Sequence, residues 1–175
     1  TDKKNACFPG ELLRLSPWPV DGTTMLHGEP VIFRWEDIYK KTPPCTKSTL
    51  VIIGPDGKEI PTKPMKTGSL FQVSGKAFRE KTDYKWCVNV GGKTVSEEFR
   101  FRILSKAESD DIRSKLMKYA GQAPAQALYL QLLSDITPKL DLYADSLRII
   151  KEYKPCQTEM HVAYEVFRRI NGHGN

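Results

Sequence analysis

The alternation in residues 82–103 constrains this chain more than any other stretch. Tyr84, Trp86, Val88 and Val90 fall on one side of an extended backbone, with Lys85, Cys87 and Asn89 on the other. That is the period of a strand with one buried face. Phe99, Phe101 and Ile103 repeat the pattern against Arg100 and Arg102. Gly91-Gly92, between the two runs, supplies the positive backbone angles that a tight reversal needs, so the segment predicts a β-hairpin.

Shorter runs of the same kind precede it. Prolines on both sides of Trp18 exclude a central strand there, because proline cannot donate to a ladder, and leave a short edge strand at residues 12–15. Residues 30–35 alternate, with Val31, Phe33 and Trp35 on the inner side. A strand is expected over Lys47–Ile53, ending at the turn Gly54-Pro55-Asp56-Gly57 and returning through residues 58–60. Pro61 and Pro64 mark a loop or edge, and residues 69–73 supply one more strand. About seven short strands with turn signals between them, and no helical pattern inserted, predict an antiparallel β-sandwich with a two-layer core.

Val31-Ile32-Phe33-Arg34-Trp35, followed much later by Thr82-Asp83-Tyr84-Lys85-Trp86-Cys87-Val88, resembles the second-strand tryptophan and sixth-strand tyrosine of fibronectin type III and immunoglobulin-like domains. The Pro55-Asp56-Gly57-Lys58 turn is similar to those of their bacterial relatives on exported and surface proteins. The resemblance spans residues 12–104. It implies a sandwich fold with a binding or spacing role, and brings no catalytic residues with it.

At Ser105 the period changes. Ser105-Lys106-Ala107-Glu108 has the form of a capping box, and Ile112, Leu116 and Tyr119 follow at helical spacing. Gly121 ends that helix. Pro124 is acceptable in the first turn of a second helix over residues 125–136, which Thr137-Pro138 breaks. A third helix is expected after Asp141, with Tyr143, Leu147, Ile150 and Tyr153 near one face, until Pro155 stops it. Thr158 caps a fourth, with Val162, Val166, Phe167 and Ile170 as its apolar stripe, and residues 171–175 are expected to fray. Residues 142–154 resemble the second helix of a tetratricopeptide-type repeat, but no period recurs. The expected class is therefore α+β: a β-sandwich domain over residues 1–104, and a helical region over 105–175 that packs on it as a bundle of three or four helices.

Composition narrows the function. With 39% apolar and 27% charged residues and no long apolar run, no membrane span is expected. The net charge of +6 is scattered: residues 1–104 hold 17 Lys/Arg against 12 Asp/Glu, and residues 105–175 hold 10 against 9. Nucleic-acid binders concentrate their basic residues, so no nucleic-acid partner is expected. Cys7, Cys45, Cys87 and Cys156 have no C-x-x-C spacing, and an even, dispersed set suits disulfides. Three connectivities are open. Cys45 and Cys87 can meet on the outer face of one sheet, which leaves Cys7 with Cys156. Disulfides imply an exported, periplasmic or extracellular protein whose signal peptide has been removed; four reduced thiols in a cytosolic protein is the alternative.

His27, His161 and His173 lack metal-binding spacing, and the adjacent pairs Asp110-Asp111 and Glu97-Glu98 point in different directions and read as solvated charge. No phosphate loop, dinucleotide fingerprint or nucleophile elbow occurs, so no catalytic residue, metal or cofactor is expected. The expected function is a non-catalytic protein-interaction or structural subunit of an exported or cell-envelope assembly, with a protein partner. One alternative is a carbohydrate- or surface-polymer-binding domain that stacks its ligand on Trp18, Phe71 and Phe78. A metal-dependent or hydrolytic enzyme is the other.

Overall fold

The computed structural model describes residues 17–35, 47–66, 71–90, 93–94, 96–151 and 160–173. Among these, the strands are β1 (Thr23–Met25), β2 (Val31–Phe33), β3 (Lys47–Ile53), β4 (Glu59–Ile60), β5 (Met65–Lys66), β6 (Phe71–Val73), β7 (Thr82–Val90), β8 (Lys93–Thr94) and β9 (Phe99–Ile103). The α-helices are α1 (Lys106–Leu116), α2 (Ala123–Ile136), α3 (Tyr143–Ile150) and α4 (Met160–Gly172). The expected strand at residues 12–15 and the Gly91-Gly92 reversal lie outside the described residues.

The hairpin forms the centre of the main sheet. β7 pairs with β9 in antiparallel register, Tyr84 opposite Phe101 and Trp86 opposite Phe99, and its other edge takes β3 along six residue pairs. The order is β1-β9-β7-β3-β4, with β5 added to β3 and β8 to β7. At one edge β1 runs parallel to β9, Thr23 beside Phe101 and Met25 beside Ile103. β2 and β6 form a separate antiparallel pair, Phe33 opposite Phe71.

This corrects the antiparallel β-sandwich. The chain is α+β, but its main sheet is mixed, and the layer facing it is not a second full sheet. Among the described residues only β2 and β6 lie there as strands, with helices beside them. Phe33 packs edge-on against Trp86 and Phe101, with ring centroids 5.6 and 5.8 Å apart, and Leu147, Ile150, Val166 and Ile170 belong to the same buried cluster. A sheet with one aromatic face needs a cover, and the amphipathic faces of α3 and α4 serve as well as more strands would. β1 escapes the sequence pattern because it is three residues long and buried on both sides, so Thr23, Thr24 and Met25 show no alternation. Two-sided burial is usual for parallel pairing.

Three of the ring tips inside this core have hydrogen-bond partners. The Trp35 indole donates to Ser48 Oγ at 2.8 Å, the Trp86 indole donates to the Pro19 carbonyl at 3.1 Å, and the Tyr84 hydroxyl accepts the Arg79 backbone N–H at 2.8 Å. The two indoles therefore keep their burial gain, roughly 2–3 kcal/mol each, without an orphaned donor to offset it.

The helices start where their local chemistry directs. Ser105 Oγ accepts the Glu108 N–H at 3.1 Å while Glu108 accepts the Ser105 N–H at 2.8 Å, closing the capping box. Gly121 takes a positive φ of 78° after the last turn, and Pro124 opens α2. The C-terminal end differs from expectation. His173 does not fray: its ring stacks on Tyr143 at 3.8 Å and 4°, and its Nε2 lies 2.8 Å from Asp141 Oδ2. Tyr143 is pushed above the usual phenol range by burial and then by Asp135, which its hydroxyl meets at 3.2 Å. Tyr153 and Thr158 lie outside the described residues.

Candidate functional site

The aromatics expected to stack a sugar are not available for it. Trp18 is 1% exposed and Phe78 4%, both inside the main core. Phe78 is held edge-on against Tyr84 and Phe101 at 5.1 and 5.6 Å, and Phe71 is half-buried, packed against the same core. Large apolar rings next to an aromatic sheet face gain more from the core than from water.

Cys87 is a buried free thiol opposite Val51, so the Cys45–Cys87 bridge is not formed; burial, then Glu98, pushes this thiol upward. Cys7, Cys45 and Cys156 lie outside the described residues. Among the described residues no three His, Cys, Asp or Glu side chains are grouped to hold a metal ion. Asp110 pairs with Arg113 at 2.9 Å, Asp111 with Lys115 at 2.6 Å, and Glu98 with Lys85 at 2.7 Å, as solvated charge.

A polar joint fixes the helices to the sheet. Asp145, on α3, is 3% exposed and accepts the Leu26 N–H at 2.8 Å and Arg148 Nε at 3.1 Å. Burial raises its carboxyl above the usual range, against the pull of Arg148 and the Leu26 amide. Glu29 bridges Arg148 and Arg113, each at 3.2 Å, so one carboxylate ties α3 to α1. Arg113 also donates to the His27 carbonyl, and Ser109 Oγ accepts the His27 N–H at 2.9 Å. Gly75 closes the joint from the other side, because a Cβ there would run into the Gly28 carbonyl. At the sheet edge, the Thr24 N–H and hydroxyl both donate to the Asp141 carbonyl, at 2.8 and 3.0 Å.

This rigid joint leaves two hollows beside the end of β9. The first, about 400 Å³, is lined by Gly22, Thr23 and Thr24 of the sheet edge, by Asp83, Arg100 and Arg102 on the outer face, and by Lys139 in the turn between α2 and α3. The second, about 280 Å³, is a groove between α1 and α2 lined by Leu104, Ile112, Leu133 and Leu140, with Glu108, Asp111 and Lys115 at its rim. Two backbones join them. Arg102 and Leu104 are two residues apart along an extended chain, roughly 7 Å, and Lys139 and Leu140 are consecutive. Phe101 and Ile103 belong to the inner core, whereas Leu104 belongs to a second apolar cluster with Ile112, Leu116 and Leu130. Exposed large apolar side chains on α2 are Ile136 at 77% and Leu132 at 43%, and Met117, just after α1, is 69% exposed.

The sequence reading picked out none of these hollow-lining cations. One signal was available. Over fourteen residues α2 carries a single charge, Asp135, and a helix so poor in charge should be buried on all sides or face a partner. No helix among the described residues is long and apolar enough to cross a membrane. Comparison of the chain with protein-family models, with curated proteins and with solved structures finds no match.

Proposed function

We propose that this chain is a non-catalytic protein-interaction subunit of an exported or cell-envelope assembly, and that it receives its partner on the groove between α1 and α2. The observation that supports the reading is the apolar edge of α2. Leu132 and Ile136 stand in water on a helix with almost no charge, next to a groove floored by Leu104, Ile112, Leu133 and Leu140. Exposed apolar clusters rimmed by polar residues mark interaction surfaces. The polar joint supports it further, since a docking surface held in place by Glu29, Arg113 and Arg148 loses little freedom when a partner binds.

The test is native mass spectrometry on material from the natural source, with Leu132→Asp and Ile136→Asp introduced there. The expected result is an assembly that both variants dissolve while their circular dichroism stays unchanged. A monomer in the unaltered protein, or an assembly that survives both substitutions, contradicts the reading. With Cys87 a free thiol, export rests on a disulfide among Cys7, Cys45 and Cys156. A Cys7–Cys156 disulfide in non-reducing mass spectra supports it, and four free thiols remove it.

A further inference from the structure

The docking reading leaves the partner's chemistry open, and the balance of satisfied and unsatisfied charge around the two hollows narrows it. Apart from Asp83, which lies opposite Arg102, the carboxylates near the end of β9 are engaged. Glu108 is held below the usual carboxylate range by the Ser105 hydroxyl and the Ser105 backbone N–H. Asp111 is paired with Lys115, Glu80 accepts the Lys106 N–H at 2.6 Å, and Asp21 takes Nε and Nη2 of Arg100 at 3.3 and 3.2 Å. Among the carboxylates lining either hollow, Asp83 alone has no hydrogen-bond or ion-pair partner among the described residues.

The cations differ. Arg102 and Lys139 line the first hollow, and neither has a hydrogen-bond or ion-pair partner among the described residues. Lys81, just before β7, is in the same state, and Arg102 and Lys81 both stand close enough to Glu108 to lower its carboxyl. The backbone adds a second observation. Among the described residues, the two non-glycine positions with positive φ are Lys81 at 53° and Lys139 at 63°, and both turns stand at this end of the sheet. A side chain in the left-handed region costs about 1 kcal/mol or more, which glycine avoids.

Resting on the docking reading, we infer that the segment bound here is an acidic, apolar stretch of a partner protein. Its apolar side chains lie in the groove of Leu104, Ile112, Leu133 and Leu140, and its carboxylates reach Arg102 and Lys139 across the 137–140 turn. Arg102 offers a fork that fits a carboxylate in two-point fashion, and Lys139 offers a mobile point charge beside it. Complementary charge of this kind selects partners and speeds their encounter more than it adds affinity.

The experiment is selection of a random displayed peptide library on the full chain, with the double variant Arg102→Glu, Lys139→Glu and the single variant Ile136→Asp as parallel baits. Circular dichroism confirms that both variants fold. The expected result is enrichment of peptides combining apolar residues with Asp or Glu. Their binding weakens about tenfold or more on the double variant, as loss of charge complementarity predicts, and is lost on Ile136→Asp. Peptides that depend on Ile136 but show no acidic preference, or bind the double variant equally well, overturn the inference and leave the docking reading in place. If no enriched peptide depends on Ile136, both fall.

Discussion

On one face of β9, Phe99, Phe101 and Ile103 pack against Trp86, Tyr84 and the rings of β2 and β7. On the other, Arg100, Arg102 and Leu104 border two open hollows. A single strand of five residues thus organises both the dry core and the candidate docking surface. The two faces are written in different languages. Core residues are fixed by volume and shape, so the alternation of large apolar side chains announces them. Surface residues are fixed by what they leave unpaired, and pairing depends on neighbours that the local sequence does not name.

Substitutions on the two faces should therefore separate stability from binding. The largest effect is expected inside. Trp86→Ala removes a fully buried ring that also satisfies the Pro19 carbonyl, and should cost about 3–5 kcal/mol in urea unfolding. Arg102→Glu, a few residues away on β9's outer face, should change stability by no more than about 0.5 kcal/mol. Comparable losses from the two would show that the outer face is part of the core after all.

The polar joint lies between these extremes. Asp145→Ala leaves the Leu26 N–H without its acceptor and Arg148 without one partner, and should cost about 2–3 kcal/mol by the same unfolding measurement. Asp145→Asn keeps one of the two acceptors and removes a charge that burial disfavours, so it should cost less than Asp145→Ala. Equal losses would mean that the charge itself holds α3 to the sheet. At the start of α1, Ser105→Ala removes the capping hydroxyl and should cost about 1 kcal/mol in thermal unfolding, a typical capping loss. Lys139→Gly should instead stabilise the chain by about 0.5 kcal/mol, because glycine relieves the left-handed backbone while adding some unfolded-state freedom.

The smallest effect is a titration on α4. Arg168 and then Arg169 hold the Glu165 carboxyl at about 2, down from 4.5. A depressed folded value means that Glu165 favours the folded state above pH 4.5, and that this contribution fades as the pH falls toward 2. Carboxyl NMR should place its midpoint near 2 in the unaltered chain and higher in Arg168→Ala. A midpoint that does not move in the variant would contradict the pairing.

What could be read ahead of the structure was what local physics decides. β3 and β7 fall where the apolar runs place them, and the Ser105–Glu108 capping box forms as its spacing requires. α1 and α2 likewise begin and end near their signals, whereas Pro155 and Thr158, the signals for the end of α3 and the start of α4, lie outside the described residues. What could not be read depends on distant partners. β1 is a strand because β9 lies beside it and Asp141 caps its edge, and nothing in Thr23-Thr24-Met25 shows either. His173 reads as a loose end because its partners, Tyr143 and Asp141, lie some thirty residues earlier. The second layer escapes the local sequence for a related reason: a β face specifies that it must be covered, and not whether strands or helices do it. Lys139 carries no signal at all in one dimension, since its left-handed backbone and lack of a partner exist only in three.

The most direct measurement is methyl NMR of the full chain titrated with the tightest acidic peptide from the selection. The account predicts saturable shifts at Leu104, Leu133, Ile136 and Leu140, with Ile52 and Ile103 of the inner face unmoved. Shifts at Ile52 and Ile103, or a peptide that binds without moving the groove methyls, would contradict it.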